Sequence, residues 1–293
     1  MAVAFKAPVK DIVFGYEVVE TYDVISKIPA FSDFNEDIVI PTMEECAKFA
    51  EEVLAPINAI GDQQGATIKD GKVTMPKEFI DAYKSFSEAG WASISLPSEI
   101  GGGGMPIALS GGTLEILSTA NLAFGLAPGL AAGAISAINF HGSEDQKAKF
   151  LPKLVSGEWT GTMNLSEPQS GSDLGTITTK AEPLEDGSYK ITGTKVWITF
   201  GEHDLTDNII HLVLAKIPGS PEGTKGISMF IVPKVMVNDD GSLGDDNNVS
   251  CISIEEKLGI HASPTCVMEY DGSIGYLVGE ENRGLNYMFT MMN

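Results

Sequence analysis

The spacing of apolar residues changes at Trp159, and this change restricts the fold more than any other feature of the 293-residue chain. Before it, apolar positions such as Ile40, Met43 and Ala47 recur at helical spacing. After it, apolar and polar residues alternate in short runs separated by turns. The predicted strands are 159–165, 176–182, 189–200, 209–216, 227–233, 249–254 and 267–270. Helices followed by strands predict an α+β fold.

Domain boundaries follow from this change. We place an all-helical N-terminal domain with an extension at 1–156 and a β-domain at 157–278, which reads as a small antiparallel barrel or sandwich. A new helix is expected to begin within 279–293.

Residues 116–143 contain no Asp, Glu, Lys or Arg, and a run of that length could cross a membrane. Pro128 divides the run, Asn121, Asn139 and His141 are polar, and no basic flank supports a spanning topology. Two buried helices and no membrane span are therefore expected.

The chain is acidic, with a formal net charge of −21 and a single arginine, Arg283. Such a surface disfavours non-specific binding to nucleic acid. The three cysteines form no C-x-x-C pair, which favours free thiols in a reducing compartment. No signal peptide is evident, so we expect a cytoplasmic location. His203 and Asp204 have no further ligands spaced around them, so no metal site is predicted.

Residues 163–173 combine an extended run with a polar turn. Met163 and Leu165 alternate, and Pro168 ends the strand because proline has no amide donor. The Ser-Gly-Ser-Asp turn that follows offers hydroxyls and exposed amides to a polar heterocycle or a phosphate. An ordinary surface turn would have the same composition.

Residues 193–199 read as a strand on which Trp197 and Thr199 share a face. An apolar indole plane beside a hydroxyl suits a planar cofactor rich in heteroatoms. A tryptophan that fills a core is the alternative reading of this pattern.

These two stretches resemble the flavin-contacting signature of the acyl-CoA dehydrogenase family, which usually reads about C-V-T-E-P-x-A-G-S-D followed by K-x-W-I-T-N-G. Here the first reads M-N-L-S-E-P-Q-S-G-S-D from Met163, and the second reads G-T-K-V-W-I-T from Gly193. The resemblance continues in 256–266 and 279–285. It implies a helical domain, an antiparallel β-barrel domain and a C-terminal four-helix bundle, of which this chain covers the first two and the start of the third.

The resemblance implies FAD as the cofactor. The expected FAD-binding residues are Met163, Leu165, Ser166, Gly171, Ser172, Trp197, Ile198 and Thr199. Within this set Trp197 should pack on the flavin ring, the Thr199 hydroxyl should reach its N5 edge, and Ser172 should also lie near the acyl-CoA substrate.

Four positions differ from the usual family pattern. Asn164 replaces a common Cys, Ser166 replaces the usual Thr, Ser170 replaces Ala, and Phe200 replaces a common Asn. These changes are compatible with flavin binding and leave the substrate preference open.

The implied reaction is α,β-dehydrogenation of an acyl-CoA thioester, with the β-hydride passing to flavin N5 and the electrons to an electron-transfer flavoprotein. Residues 159–165, 201–206 and 221–226 resemble those of long-form members of the family that act on 3-(methylthio)propanoyl-CoA, and they identify this subgroup better than they identify a substrate. An acyl-CoA oxidase and a non-catalytic module that binds flavin or acyl-CoA remain open alternatives.

The family's catalytic base is usually a Glu of the C-terminal bundle, so it is expected beyond Asn293 and no catalytic residue is expected in this chain. Glu167 is expected to be structural. The chain alone is therefore predicted to be inactive and to bind FAD poorly. The full-length protein is expected to be a homodimer or homotetramer.

Overall fold

A layer of helices precedes the main sheet in the computed structural model, which describes residues 4–292. In chain order these helices are α1 (Val9–Val18), α2 (Thr21–Ile25), α3 (Glu36–Phe49), α4 (Ala55–Gln64), α5 (Lys77–Glu88), α6 (Ile107–Ala120), α7 (Leu122–His141) and α8 (Glu144–Val155). A π-helical turn, Ala50–Leu54, joins α3 to α4. A small hairpin of β1 (Thr67–Lys69) and β2 (Lys72–Thr74) lies between α4 and α5.

The break between the two apolar helices α6 and α7 lies at Asn121, whereas the sequence placed it at Pro128. The Asn121 side chain accepts a hydrogen bond from the Phe124 amide at 3.1 Å, which caps α7. Its amide group donates to the Leu54 carbonyl at 3.2 Å. Pro128 lies inside α7, within the second turn.

Helix α7 is long and apolar enough to cross a membrane, but 50% of its most apolar window is buried inside the protein. It packs against α8 and against the first strand of the main sheet. The contact with that strand is close, since a Cβ built on Gly161 would lie 2.3 Å from the Ala134 Cβ. These contacts are those of a core helix.

The remaining strands follow α8. They are β3 (Trp159–Asn164), β4 (Lys180–Pro183), β5 (Tyr189–Thr199), β6 (Asn208–Lys216), β7 (Ile227–Pro233), β8 (Val235–Val237), β9 (Leu243–Asp246), β10 (Val249–Ile254) and β11 (Thr265–Leu277). Seven of them form the main sheet, in the order β10-β11-β5-β4-β6-β3, with β7 paired to both β11 and β6.

The sheet is mixed, so the prediction of a purely antiparallel β-domain was wrong. Strand β3 runs parallel to β6, with Trp159 opposite Asn208 and Asn164 opposite Val213. The chain between them forms β4 and β5, which pair antiparallel with each other. After these two strands, β6 runs in the same direction as β3. A parallel pair needs such a crossover connection. Alternation of apolar residues reports only which face is buried, and it carries no information on strand direction.

Phe200, which directly follows β5, lies in the core of the helical layer. Its side chain is 1% exposed and belongs to the same cluster as Phe79 and Phe124, against which Leu205 packs. The helical layer and the sheet therefore share a core.

Within the third expected segment, 279–293, the described residues form α9 (Gly284–Met292). Its first residue contacts the backbone of Ser228 on β7, since a Cβ on Gly284 would lie 2.2 Å from that carbonyl carbon. Further along, Tyr287 stacks on His141 of α7 with ring centroids 4.5 Å apart.

Candidate functional site

The candidate site is the junction between the end of β3 and a bulge in β5. The Val196 amide donates to the Ser166 carbonyl at 2.9 Å. The pairing of β5 with β11 shifts here, because Cys266 lies opposite Ile198 and Met268 lies opposite Lys195. The extra residue of β5 produces a β-bulge, a feature that re-aims side chains near functional sites.

The bulge gives Trp197 an unusual backbone. Its φ is +59°, in the left-handed region that a bulky residue rarely adopts, and 60% of its side chain is exposed. A large aromatic side chain held out to solvent in a strained conformation is a feature of binding surfaces. The alternative from the sequence, a tryptophan that fills a core, does not fit this exposure.

Gly171 brings the polar turn to this indole. A Cβ built on Gly171 would lie 3.8 Å from the six-membered ring of Trp197 and 4.0 Å from the Ser166 Oγ. The backbone of the turn, the hydroxyl of Ser166 and the indole therefore converge on one place.

The other predicted site residues differ in how much of their side chains solvent reaches. Met163 and Leu165 are partly buried and pack against the core below the turn. Thr199 is half-buried and lies two residues from Trp197, at the end of β5. Ser172 is exposed on the turn beside Gly171.

Ile198 is the predicted residue that the structure directs elsewhere. Its side chain is 2% exposed and lies in the core of the sheet with Val213 and Cys266. Successive side chains of a strand point to opposite faces, so a residue between Trp197 and Thr199 cannot share their face. Ile198 can therefore contribute main-chain groups to the site.

Glu167 holds the polar turn in place and is 2% exposed. Its carboxylate accepts hydrogen bonds from the amide and hydroxyl of Thr178, at 2.6 and 2.8 Å, and from those of Thr179, at 3.0 and 2.6 Å. Its amide and carbonyl pair with those of Ser170 across the turn. A side chain occupied in this way is structural, in agreement with the expectation from the sequence.

Lys195 completes this arrangement from β5. Its Nζ lies 2.9 Å from the Glu167 Oε1 and 2.9 Å from the Leu165 carbonyl oxygen, and its side chain is fully buried. Burial alone would raise the pKa of Glu167, but the Lys195 charge and the threonine hydrogen bonds lower that pKa to about 2. The buried carboxylate therefore remains charged at neutral pH and ties the turn to β5.

A second buried array, which the sequence analysis missed, lies behind the end of β3. Asn164 donates to the Thr162 Oγ1 at 2.8 Å and accepts from the Tyr270 hydroxyl at 2.8 Å. The Thr162 Oγ1 lies 2.7 Å from the Nδ1 of His211. We call these four residues the polar seam. The signal was the alternation of Thr160, Thr162 and Asn164, three polar residues on one face of a buried strand.

The histidines of this region are neutral. Burial and the nearby charge of Lys234 lower the pKa of His203 and of His211 to about 3. The Nδ1 of His203 accepts from the Leu205 amide at 3.1 Å, so its Nε2 carries the proton and donates to Thr160 at 2.9 Å. These rings act as neutral hydrogen-bonding groups in the core.

The donor set at the junction fits a flavin. A flavin ring is planar, with heteroatoms along its edges, and it needs a flat apolar surface, small residues that allow close approach and hydroxyl or amide donors. Trp197 supplies the surface, Gly171 the close approach, and Ser166 and Thr199 the hydroxyls.

Comparison with known families agrees with this geometry. Residues 42–158 match the N-terminal domain of acyl-CoA dehydrogenases, and residues 162–273 match their middle domain. The chain belongs to the acyl-CoA dehydrogenase family. The junction lies within the region that matches the middle domain of the family.

The relatives that this chain matches include longer proteins. It is 47% identical to the 3-methylmercaptopropionyl-CoA dehydrogenase of Ruegeria pomeroyi, over 98% of this chain and 49% of that protein. The chain therefore spans about half the length of that curated relative.

Solved structures share the fold. An acyl-CoA dehydrogenase of Bacillus anthracis complexed with FAD matches with a TM-score of 0.71 and 27% identity, over 89% of this chain and 40% of that one. A structure described as the electron transferring flavoprotein of Acidaminococcus fermentans matches with a TM-score of 0.70 and 26% identity, over 88% of this chain and 62% of that one.

Proposed function

We propose that the protein is an FAD-dependent acyl-CoA dehydrogenase that carries out α,β-dehydrogenation of an acyl-CoA thioester in fatty acid metabolism. The observation that supports this most directly is the exposed indole of Trp197, held by a strained bulge beside Gly171 and Ser166. When bound, FAD supplies the acceptor for the hydride that leaves the β-carbon of the substrate.

In this proposal each residue of the junction has a defined task. Trp197 packs on the flavin plane, and the hydroxyls of Ser166 and Thr199 donate to its polar edge. Met163 and Leu165 exclude water from the ring. Gly171 admits the cofactor, Ile198 contributes main-chain groups, and Ser172 contacts both FAD and the acyl-CoA.

The base that removes the α-proton is proposed to be a Glu of a C-terminal helical bundle, beyond Asn293. Glu167 is unsuited to that task, because Lys195 and two threonines occupy its carboxylate. We propose the division 1–156, 157–278 and 279–293 for the helical domain, the sheet domain and the start of the bundle. The assembled protein is proposed to be a cytoplasmic homodimer or homotetramer.

The proposed substrate is 3-(methylthio)propanoyl-CoA. The support is the 47% identity to a relative named for that same acyl group, which extends across the junction. An electron-transfer flavoprotein is the proposed electron acceptor, as the membership in the acyl-CoA dehydrogenase family implies.

Anaerobic titration with acyl-CoA thioesters tests the proposal. The protein is prepared as this chain and with any continuation that its gene encodes, reconstituted with FAD, and mixed with 3-(methylthio)propanoyl-CoA or butyryl-CoA. We expect the visible flavin bands to bleach in the longer form, most completely with the thioether substrate. Turnover by the 293-residue chain alone would contradict the placement of the base beyond Asn293.

Two other outcomes identify the alternatives. Rapid reoxidation of the bleached flavin by O₂ would indicate an acyl-CoA oxidase. A protein that takes up no FAD in either form would indicate a non-catalytic module and overturn the proposed function.

A further inference from the structure

Strand β3 lies at the end of the main sheet, and within residues 4–292 it forms ladder pairs with β6 alone. A strand at a sheet edge has one neighbour to determine its register, and a slip of one residue would turn each side chain to the other face. Both faces of β3 are buried, so such a slip would turn the polar residues into the apolar core against α7 and Met163 toward His211. Some feature of the sequence must therefore favour the observed register.

The polar seam provides this feature. Thr162 and His211 are direct partners in the parallel ladder of β3 and β6, and their side chains are joined at 2.7 Å. Asn164 then reaches Tyr270 on β11, which is not a ladder partner of β3. All four side chains are at most 1% exposed. A shifted register would leave several buried polar groups unpaired, at a cost much larger than that of a slipped apolar contact.

The seam is adjacent in sequence to the proposed flavin surface. Residues 163–166, the β3 exit, contain Met163, Leu165 and Ser166, and the side chain of Asn164 between them points into the seam. Lys195 also bonds to the Leu165 carbonyl. The exit is thus held at Asn164 through its side chain and at Leu165 through its main chain.

We propose that the polar seam fixes the register of β3 and thereby positions the β3 exit against the flavin, with Thr162 and Tyr270 as positioning residues. This inference rests on the proposed function, since the exit is assigned to FAD there. Neither residue touches the cofactor in this account.

The imidazole of His211 reports on the seam through its NMR chemical shifts, independently of FAD. In residues 4–292 its buried Nε2 has no hydrogen-bond partner, and its ring meets that of Tyr270 edge to face, with centroids 6.0 Å apart. Thr162 already accepts from Asn164, so its own proton is available to the Nδ1 of His211. Loss of the Thr162 hydroxyl should therefore change the ¹⁵N chemical shifts of that imidazole.

The first test measures the chain without FAD. The variants are Thr162→Val and Tyr270→Phe, which remove one hydroxyl each and preserve shape. Thr162→Ser is the conservative rescue, and Tyr189→Phe is the matched control, since its hydroxyl bonds to Glu281 elsewhere in the sheet. Amide hydrogen exchange at residues 159–166 should accelerate about tenfold in the first two variants and remain unchanged in the rescue and control.

The second test measures FAD binding in the form of the protein that binds FAD as wild type. Thr162→Val and Tyr270→Phe should weaken FAD affinity about tenfold and shift the flavin reduction potential and absorption maxima. Their melting temperatures should fall modestly, because each substitution leaves buried polar groups unpaired, and the loss of FAD affinity should exceed what that fall accounts for.

The outcomes separate the two proposals. If the wild type takes up no FAD, the proposed function is overturned. If the wild type takes up FAD while the two seam variants match the rescue and control in exchange, affinity and potential, the positioning role alone is overturned. A loss of affinity that only parallels a fall in melting temperature would also contradict it.

Discussion

The Nζ of Lys195 and the Oε1 of Glu167 lie 2.9 Å apart in a part of the protein that solvent does not reach. The pair joins the polar turn after β3 to the strand that carries Trp197. Removal of one partner alone is strongly destabilising, because an uncompensated charge then remains in the interior.

Lys195→Met should destabilise the protein by about 3–5 kcal/mol, since it leaves the Glu167 carboxylate buried without its counter-ion. Urea unfolding at pH 7 measures the change. Lys180→Met, at an exposed position of β4, is the matched control and should stay within about 0.5 kcal/mol of the wild type. A double variant with Glu167→Gln should recover part of the loss, and equal losses in both variants would contradict the pairing.

Acid should destabilise the protein through His203 and His211. Because burial lowers the pKa of each to about 3 in the folded state, their contribution is present above the unfolded value of about 6.5 and is lost as the pH falls from about 6.5 toward 3. Each should contribute a slope of up to about 1.4 kcal/mol per pH unit. Unfolding midpoints between pH 7 and 4.5 should depend less on pH in His203→Gln and in His211→Gln, and an unchanged slope in the double variant would contradict this origin.

Trp197→Gly should separate stability from binding. Glycine adopts a φ of +59° freely, so this variant should be neutral or up to about 1 kcal/mol more stable than the wild type. FAD affinity should fall at least tenfold because the stacking surface is gone. Trp197→Phe, which keeps a ring at the same backbone position, should retain part of the affinity. A destabilised Trp197→Gly protein would show that the indole supports the fold.

Gly171→Leu should block the cofactor and leave the fold intact. The residue is exposed, its φ is not positive, and a Cβ there meets other atoms only at ordinary contact distance. A longer side chain would extend over the face of Trp197 that the flavin needs. Gly15→Leu on α1, where a Cβ meets nothing within 4 Å, is the control. Thermal melting and quenching of FAD fluorescence measure the two properties, and normal FAD binding by Gly171→Leu would contradict the proposed site.

Local sequence patterns predicted which residues share a strand face, but they did not predict the sheet topology around the candidate site. Alternation along 193–199 placed Trp197 and Thr199 on one face because residue spacing in a strand is a local property. The parallel pairing of β3 with β6 joins residues about 50 positions apart, and no local pattern encodes it.

Local sequence patterns could not identify the hydrogen-bond partners of the buried polar residues either. The link between Asn164 and Tyr270 spans 106 positions, and that between Glu167 and Lys195 spans 28. Polar residues on a buried strand indicate that partners exist, while only the assembled fold identifies them. The position of the α6–α7 break at Asn121 was missed for a related reason, since its amide bonds to Leu54 in a distant segment.

The burial of Phe200 among the helices affects how the protein loses its structure. Because this side chain belongs to the sheet domain in sequence and to the helical core in space, neither unit can open without exposing apolar surface of the other. Equilibrium unfolding should then follow one cooperative transition, with helical circular dichroism and tryptophan fluorescence changing together. The boundary near residue 156 divides the sequence pattern, and it does not divide the folding unit.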